Sequence, residues 1–89
     1  MLGDFVKQIV REYLTRLIWD SGIVRSDYVF TYVCRGEVGD RAEFSGDQVI
    51  KVGKSYVVIQ TSTGLRSIPL HRIVEIRYRG RVVWRSPRF

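Results

Sequence analysis

The spacing of apolar residues changes once along this chain, near residue 20, and that change limits the folds the chain can adopt. From Leu2 to Trp19 the apolar residues recur every three or four positions, as they do on one face of a helix. Beyond the turn residues 20–22 the period becomes two, which is typical of β-strands. The sequence therefore predicts one amphipathic N-terminal helix followed by strands.

The strands are expected to be short and antiparallel. Residues 28–34 are apolar on both faces, as in a central strand, and residues 35–47 supply turns around one short strand. Further strands are indicated at residues 49–52, 55–60, 65–68, 74–78 and 82–85. We predict an α+β fold in which the helix packs on a bent antiparallel sheet of five to six short strands, with a small SH3-like barrel as the closed alternative.

The length and composition indicate one domain. The chain has 89 residues, 45% of them hydrophobic, which suits a single core spanning residues 1–89. The one cysteine, Cys34, is expected to be a small buried side chain in a reducing cytoplasm, with a reactive thiol as the alternative. Charges interrupt the first thirty residues, so we expect a soluble cytoplasmic protein. The absence of Asn and the excess of Arg over Lys favour a heat-adapted source.

Positive charge is concentrated at the carboxyl end. Residues 1–65 contain eight Lys or Arg and eight Asp or Glu, whereas residues 66–89 contain seven Arg and only Glu75. The whole net charge of +6 therefore belongs to the last quarter of the chain. Such an asymmetry favours a polyanionic partner, although a solvated basic tail has the same composition.

The last two strands are predicted to form a hairpin that separates charge from apolar surface. A three-residue loop, residues 78–80, would pair Ile76 with Val82 and Val74 with Trp84 on one apolar face. The opposite face would carry Glu75, Arg77, Arg81 and Arg85, together with Ile73 and Val83. Three guanidiniums resist burial, so we expect that face to meet water or a partner.

Two residues before this hairpin have side chains suited to phosphate binding. Pro69 lacks an N–H, so strand pairing must stop, bulge or lie at an edge there. We therefore expect His71 and Arg72 to be surface groups, with a hydrogen bond from His71 to a neighbouring carbonyl as the alternative. Arginine offers a planar fork to phosphate oxygens, and histidine adds a donor that titrates near neutrality. One His and one Cys do not make a metal site, so no metal or other cofactor is expected.

Several motifs resemble those of a mainly archaeal family of small proteins described as an RNA cyclic-group end recognition domain. The matching stretches are LIWD (17–20), DY (27–28), RG and GD (35–36 and 39–40), IPLHRIVEI (68–76) and VVWR (82–85). They span most of the chain, and the Ile-Pro-x-His-Arg-Ile block is specific. The resemblance implies recognition of RNA ends, 2′,3′-cyclic phosphate or 3′-phosphate, in RNA processing or repair.

On this basis we form a hypothesis for the site. His71 and Arg72 hold a terminal phosphate, Arg77, Arg81 and Arg85 follow the RNA backbone, and Trp19 or Tyr78 stacks a base. Arg35 and Arg41 are further phosphate-binding candidates. Both aromatic residues are also suited to a core, and Asp20 and Asp40 to a helix end and a turn.

Two other classes of function remain open from the sequence. The first is a phosphodiesterase in which His71 acts as general acid or base with Asp40 or Glu75 nearby. The second is an adaptor that docks its basic hairpin on an acidic surface of an RNA-processing enzyme.

Overall fold

A computed structural model describes residues 2–34 and 40–87, with side chains from residue 6 onward. Helix α1 spans Leu2–Trp19, which confirms the predicted element and both of its ends. None of the helices in these two ranges has the length and apolarity needed to cross a membrane.

Within residues 2–34 and 40–87, seven strands follow the helix and form two antiparallel sheets. The strands are β1 Tyr28–Val33, β2 Arg41–Ser45, β3 Val49–Val52, β4 Tyr56–Thr61, β5 Gly64–Pro69, β6 Ile73–Tyr78 and β7 Arg81–Arg85. A four-stranded sheet has the order β2-β1-β6-β7, and a three-stranded sheet has the order β3-β4-β5. The α+β class is confirmed. The single sheet of five to six strands and its barrel alternative are wrong, because no strand pair joins the two sheets within the described residues.

Two short 3₁₀ turns explain why there are two sheets. The first, Gly46–Gln48, separates β2 from β3, and Ser45 N–H donates to Gln48 Oε1 at 2.8 Å across it. The second, Leu70–Arg72, separates β5 from β6 and follows Pro69, the last residue of β5. We call this second turn the His71 turn. Each turn breaks the strand ladder, so the chain leaves one sheet and enters the other there.

The core lies between the helix and the two sheets. Val10, Leu14 and Leu17 are buried along one side of α1, as the apolar stripe predicts. They pack in one cluster with Phe30 and Phe44, whose rings stack at 5.0 Å and 7°. Burial of a large apolar side chain stabilises a fold by about 1.5–3 kcal/mol, so this cluster fixes how the helix sits on the sheets.

The hairpin of β6 and β7 differs from the predicted one. Its loop has two residues, Arg79 at φ 51° and Gly80 at φ 80°, which is the pattern of a type I′ turn. Ile76 pairs with Trp84 and Arg77 with Val82, so a bulge at residue 83 shifts the register. The predicted three-residue loop and its pairs are wrong.

The bulge changes which arginines share a face. Opposed residues of an antiparallel pair lie on the same face, so Arg85 joins Glu75 and Arg77, whereas Arg81 lies opposite Tyr78 on the other face. The predicted face of three guanidiniums, Arg77, Arg81 and Arg85, is therefore wrong for Arg81. The type I′ turn matches the right-handed twist of the strands, and the bulge keeps Ile76 and Trp84 on the core side.

Cys34 is buried, as predicted. Its backbone N–H donates to the Asp40 carbonyl at 2.9 Å, and Arg66 Nη2 donates to its sulfur at 2.9 Å. Asp40 has a φ of 56°, and the side chain of Asp20 accepts the Gly22 N–H at 2.9 Å. The structural interpretations of the two aspartates, a turn and a helix end, are thus both confirmed.

Gly46 provides a test of the first 3₁₀ turn. A Cβ on this buried residue would lie 2.3 Å from the carbonyl oxygen of Arg25, so the backbone would have to move. We expect Gly46→Ala to lower the free energy of unfolding by about 1–3 kcal/mol in urea denaturation. Gly22→Ala is the control, since its Cβ would meet only the end of the exposed Asp20 side chain, at 3.3 Å. Equal losses in the two variants would contradict the close approach.

Candidate nucleic-acid interface

The His71 turn presents two polar side chains from a firmly held backbone. Leu70 is fully buried, its N–H donates to the Ser55 carbonyl at 3.0 Å, and α1 packs against the turn. His71 and Arg72 follow it and are both exposed. The sequence prediction that Pro69 brings these two residues to the surface is confirmed.

Neither His71 nor Arg72 has a partner within the part of the chain that the structure describes. No hydrogen bond joins His71 to a neighbouring carbonyl, and no ion pair holds Arg72. The alternative in which His71 only satisfies a backbone carbonyl is therefore not what the structure shows. An imidazole and a guanidinium, adjacent and open to solvent, can together bind an anion such as phosphate.

The register of the four-stranded sheet places other predicted residues near this turn. Tyr32 of β1 pairs with Ile73 on one side and with Ala42 on the other, so these two flanking residues lie about 10 Å apart. Arg72 and Arg41 are the next residues toward the same end of the sheet, and Arg41 is exposed without an ion pair to any described residue. Arg35, another predicted phosphate ligand, lies outside the described residues.

The remaining predicted arginines are mostly engaged by carboxylates. Arg77 forms an ion pair with Glu43 and lies 3.4 Å from Glu75, which also accepts from Arg85 Nη2 at 3.0 Å. These four side chains lie on the face of the four-stranded sheet that is opposite the core. Their charges largely compensate one another, so this face is not the bare cationic surface that the sequence predicts.

Tyr78 belongs to a cluster at the far end of the sheet from the His71 turn. Its ring centroid lies 4.9 Å from that of Tyr28, and the Arg79 guanidinium lies 5.3 Å from its centre. Arg79 also donates to Asp27 at 3.2 Å, and this hydrogen bond raises the pKa of the guanidinium. Burial raises the pKa of the Tyr28 hydroxyl. These contacts disfavour base stacking by Tyr78, whose stacking role stays a prediction.

Trp19, in contrast to Tyr78, is open to solvent. Its side chain is 81% exposed at the end of α1, on the side of the helix opposite the buried Leu17. It lies beside β3, where it lines a groove together with Arg11, Thr15, Ile50 and Lys51. Among the aromatic residues whose side chains are described, it is the only exposed one, and its stacking role stays a prediction.

The structure also reveals cations that the sequence interpretation missed. Lys7 and Arg11 of α1 lie together with Lys54, and Lys51 lies farther along the same side of the helix. None of the four has an ion pair with a described residue. The sequence did contain a signal, since Lys7, Arg11, Thr15 and Trp19 recur every four residues and so share one helix face.

Within the described ranges, no group of three or more His, Cys, Asp or Glu side chains is arranged to hold a metal ion. His71 has no hydrogen bond or ion pair with Asp40 or Glu75 among these residues. Among the described residues, His71 is therefore joined to neither of the two acid–base partners that the sequence offers.

Comparison with known proteins places this chain in a family. Two curated relatives are similar to it over most of its length: a UPF0248 protein from Pyrobaculum calidifontis is 40% identical over 76% of this chain and 83% of its own, and one from Methanococcus vannielii is 30% identical over 78% of each. A UPF0248 protein from Archaeoglobus fulgidus is 44% identical over 52% of this chain and 62% of its own. No solved structure matches the chain significantly. The family model described as the MJ1316 RNA cyclic group end recognition domain matches residues 8–86, and this chain belongs to that family.

Proposed function

We propose that this protein is a non-catalytic module that binds RNA ends, with His71 and Arg72 holding the terminal phosphate. The observation that carries the proposal is the pair of adjacent, exposed and unpartnered side chains on the His71 turn, as far as the described residues extend. The description of the family, RNA cyclic group end recognition, supports a 2′,3′-cyclic phosphate or 3′-phosphate as the ligand. RNA processing or repair is the setting we propose for this binding.

The geometry of the turn suits a phosphate ligand. Arg72 supplies a planar fork of N–H donors, which can bind two phosphate oxygens at once, and His71 supplies a further donor. Buried Leu70 and its hydrogen bond to Ser55 hold the backbone, so binding orders only the two side chains. Arg41 lies at the same end of the sheet and is a second cation that could contact an RNA strand whose terminus is bound at the His71 turn.

The surroundings of His71 support binding without catalysis. General acid–base chemistry needs a second group that orients or complements the imidazole. Neither candidate is joined to His71 among the described residues: Asp40 has no hydrogen bond or ion pair with it, and Glu75 pairs with Arg77 and Arg85. The adaptor alternative also loses support, because the basic hairpin on which it depends is largely neutralised by Glu43, Glu75 and Asp27.

Replacement of Arg72 tests the location of the site. We expect Arg72→Ala to weaken binding of an RNA with a 2′,3′-cyclic phosphate by roughly 10- to 100-fold, because the variant cannot make the charge-assisted hydrogen bond. Arg79→Ala is the matched control: it removes the same charge from an exposed arginine at the far end of the sheet, where the guanidinium already pairs with Asp27. Fluorescence anisotropy measures both affinities. Equal weakening by the two variants would indicate general electrostatic attraction and would contradict a site at the His71 turn.

The chemistry of the RNA end tests recognition itself. One oligonucleotide would be prepared with a 2′,3′-cyclic phosphate, a 3′-phosphate or a 3′-hydroxyl. We expect either phosphate to bind roughly tenfold more tightly than the hydroxyl, since only a phosphate accepts the Arg72 and His71 donors. Equal affinities for all three ends would leave RNA binding intact and remove end recognition.

Incubation of the protein with an RNA substrate tests the absence of catalysis. A 2′,3′-cyclic phosphate oligonucleotide mixed with excess protein should keep its ring and its length, as read by mass spectrometry, because His71 is not joined to an acid–base partner among the described residues. Ring opening that disappears in His71→Ala would instead establish a phosphodiesterase.

A further inference from the structure

We propose that the groove between α1 and β3 binds the single-stranded RNA that leads to the terminal phosphate. This inference rests on the proposed function for the position of the RNA end, and on separate residues for the strand itself. Trp19 and four cations, Lys7, Arg11, Lys51 and Lys54, form the surface, which we call the α1–β3 groove.

The charge of the groove favours a polyanion. Its four cations have no ion pair with any described residue, whereas the hairpin arginines are largely compensated by Glu43, Glu75 and Asp27. Few acidic side chains of the described residues lie near the groove. Glu12 lies on α1 close to Arg11, and the Asp20 carboxylate accepts the Gly22 N–H. An RNA backbone brings the negative charge that balances these cations.

The exposed side chain of Trp19 favours RNA over a small anion as the ligand of the groove. A tryptophan that is 81% exposed leaves a large apolar ring in water, and Ile50 beside it on β3 is 56% exposed. Base stacking would cover such a ring, and it tolerates any base because every base has a π-face. Cations interspersed with an exposed aromatic ring are the usual composition of a single-strand binding surface.

One end of the groove lies close to the His71 turn. Lys54 precedes Ser55, whose carbonyl accepts the Leu70 N–H at 3.0 Å, and Lys7 and Lys54 line one depression. Lys7 and Trp19 are twelve helical positions apart, so the groove extends about 18 Å along α1. That length exceeds a single nucleotide and suits a short strand whose end lies at His71 and Arg72.

RNA length separates this proposal from the proposed function. Two ligands with the same 2′,3′-cyclic phosphate would be compared, a dinucleotide and an oligonucleotide of roughly ten nucleotides. We expect Trp19→Ala to weaken the longer RNA by roughly 5- to 100-fold and to leave the dinucleotide unchanged, while Trp19→Phe retains most of the affinity. Arg72→Ala should weaken both ligands. Leu65→Ala, which removes an apolar side chain that is 66% exposed on β5, is the matched control and should change neither.

Salt dependence tests the cations. In the double variant Lys7→Ala/Lys54→Ala, the slope of log affinity against log salt for the longer RNA should become shallower by about 0.7 for each phosphate that the protein no longer neutralises. The double variant Arg25→Ala/Arg79→Ala controls for the change in net charge, because it also removes two cations and neither of them lines the groove, and it should leave the slope unchanged.

Three outcomes would overturn the proposal. Unchanged binding of the longer RNA in both groove variants would remove the groove from RNA binding. Groove variants that weaken the dinucleotide as much as the longer RNA would place the groove at the end-binding site. Equal affinity of the wild-type chain for both lengths would leave end recognition standing and remove the RNA strand from the groove.

Discussion

Burial of the apolar side of α1 is the constraint on which the other features depend. Val10, Leu14 and Leu17 occupy the core between the two sheets, so the opposite side of the helix must face water. That side carries Arg11 and ends at Trp19. The same packing holds the His71 turn, because α1 contacts it where Leu70 is buried. One apolar contact surface thus orients both the proposed end-binding turn and the proposed strand-binding groove.

Folding redistributes the charge of the chain. The acids that pair with the carboxyl-terminal arginines come partly from the first 65 residues: Glu43 pairs with Arg77, and Asp27 with Arg79. Exposed ion pairs stabilise a fold by no more than about 1 kcal/mol each, so their main effect here is on the surface field. With those acids engaged, the uncompensated cations of the described ranges include those of α1, the β3–β4 region and the His71 turn.

The 3₁₀ turns link architecture to the proposed function. At the His71 turn the chain leaves β5 and enters β6, so His71 and Arg72 are released from strand pairing at a point that is still anchored on both sides. A loop of the same composition without Leu70 in the core would present the two side chains from a mobile backbone, and binding would then cost more conformational entropy.

Local patterns determined much of this protein. The period of apolar residues predicts α1 from Leu2 to Trp19 and most of the strand positions, and Pro69 predicts the exposure of His71 and Arg72, because these properties depend on a few neighbouring residues. Tertiary structure alone decided the rest. The division into two sheets, the bulge that separates Arg81 from Arg77, and the pairing of Glu43 and Asp27 with distant arginines all depend on contacts between residues far apart in the chain. Charge counted along a sequence does not show which ions meet in space, and so the uncompensated surface emerged only from the fold.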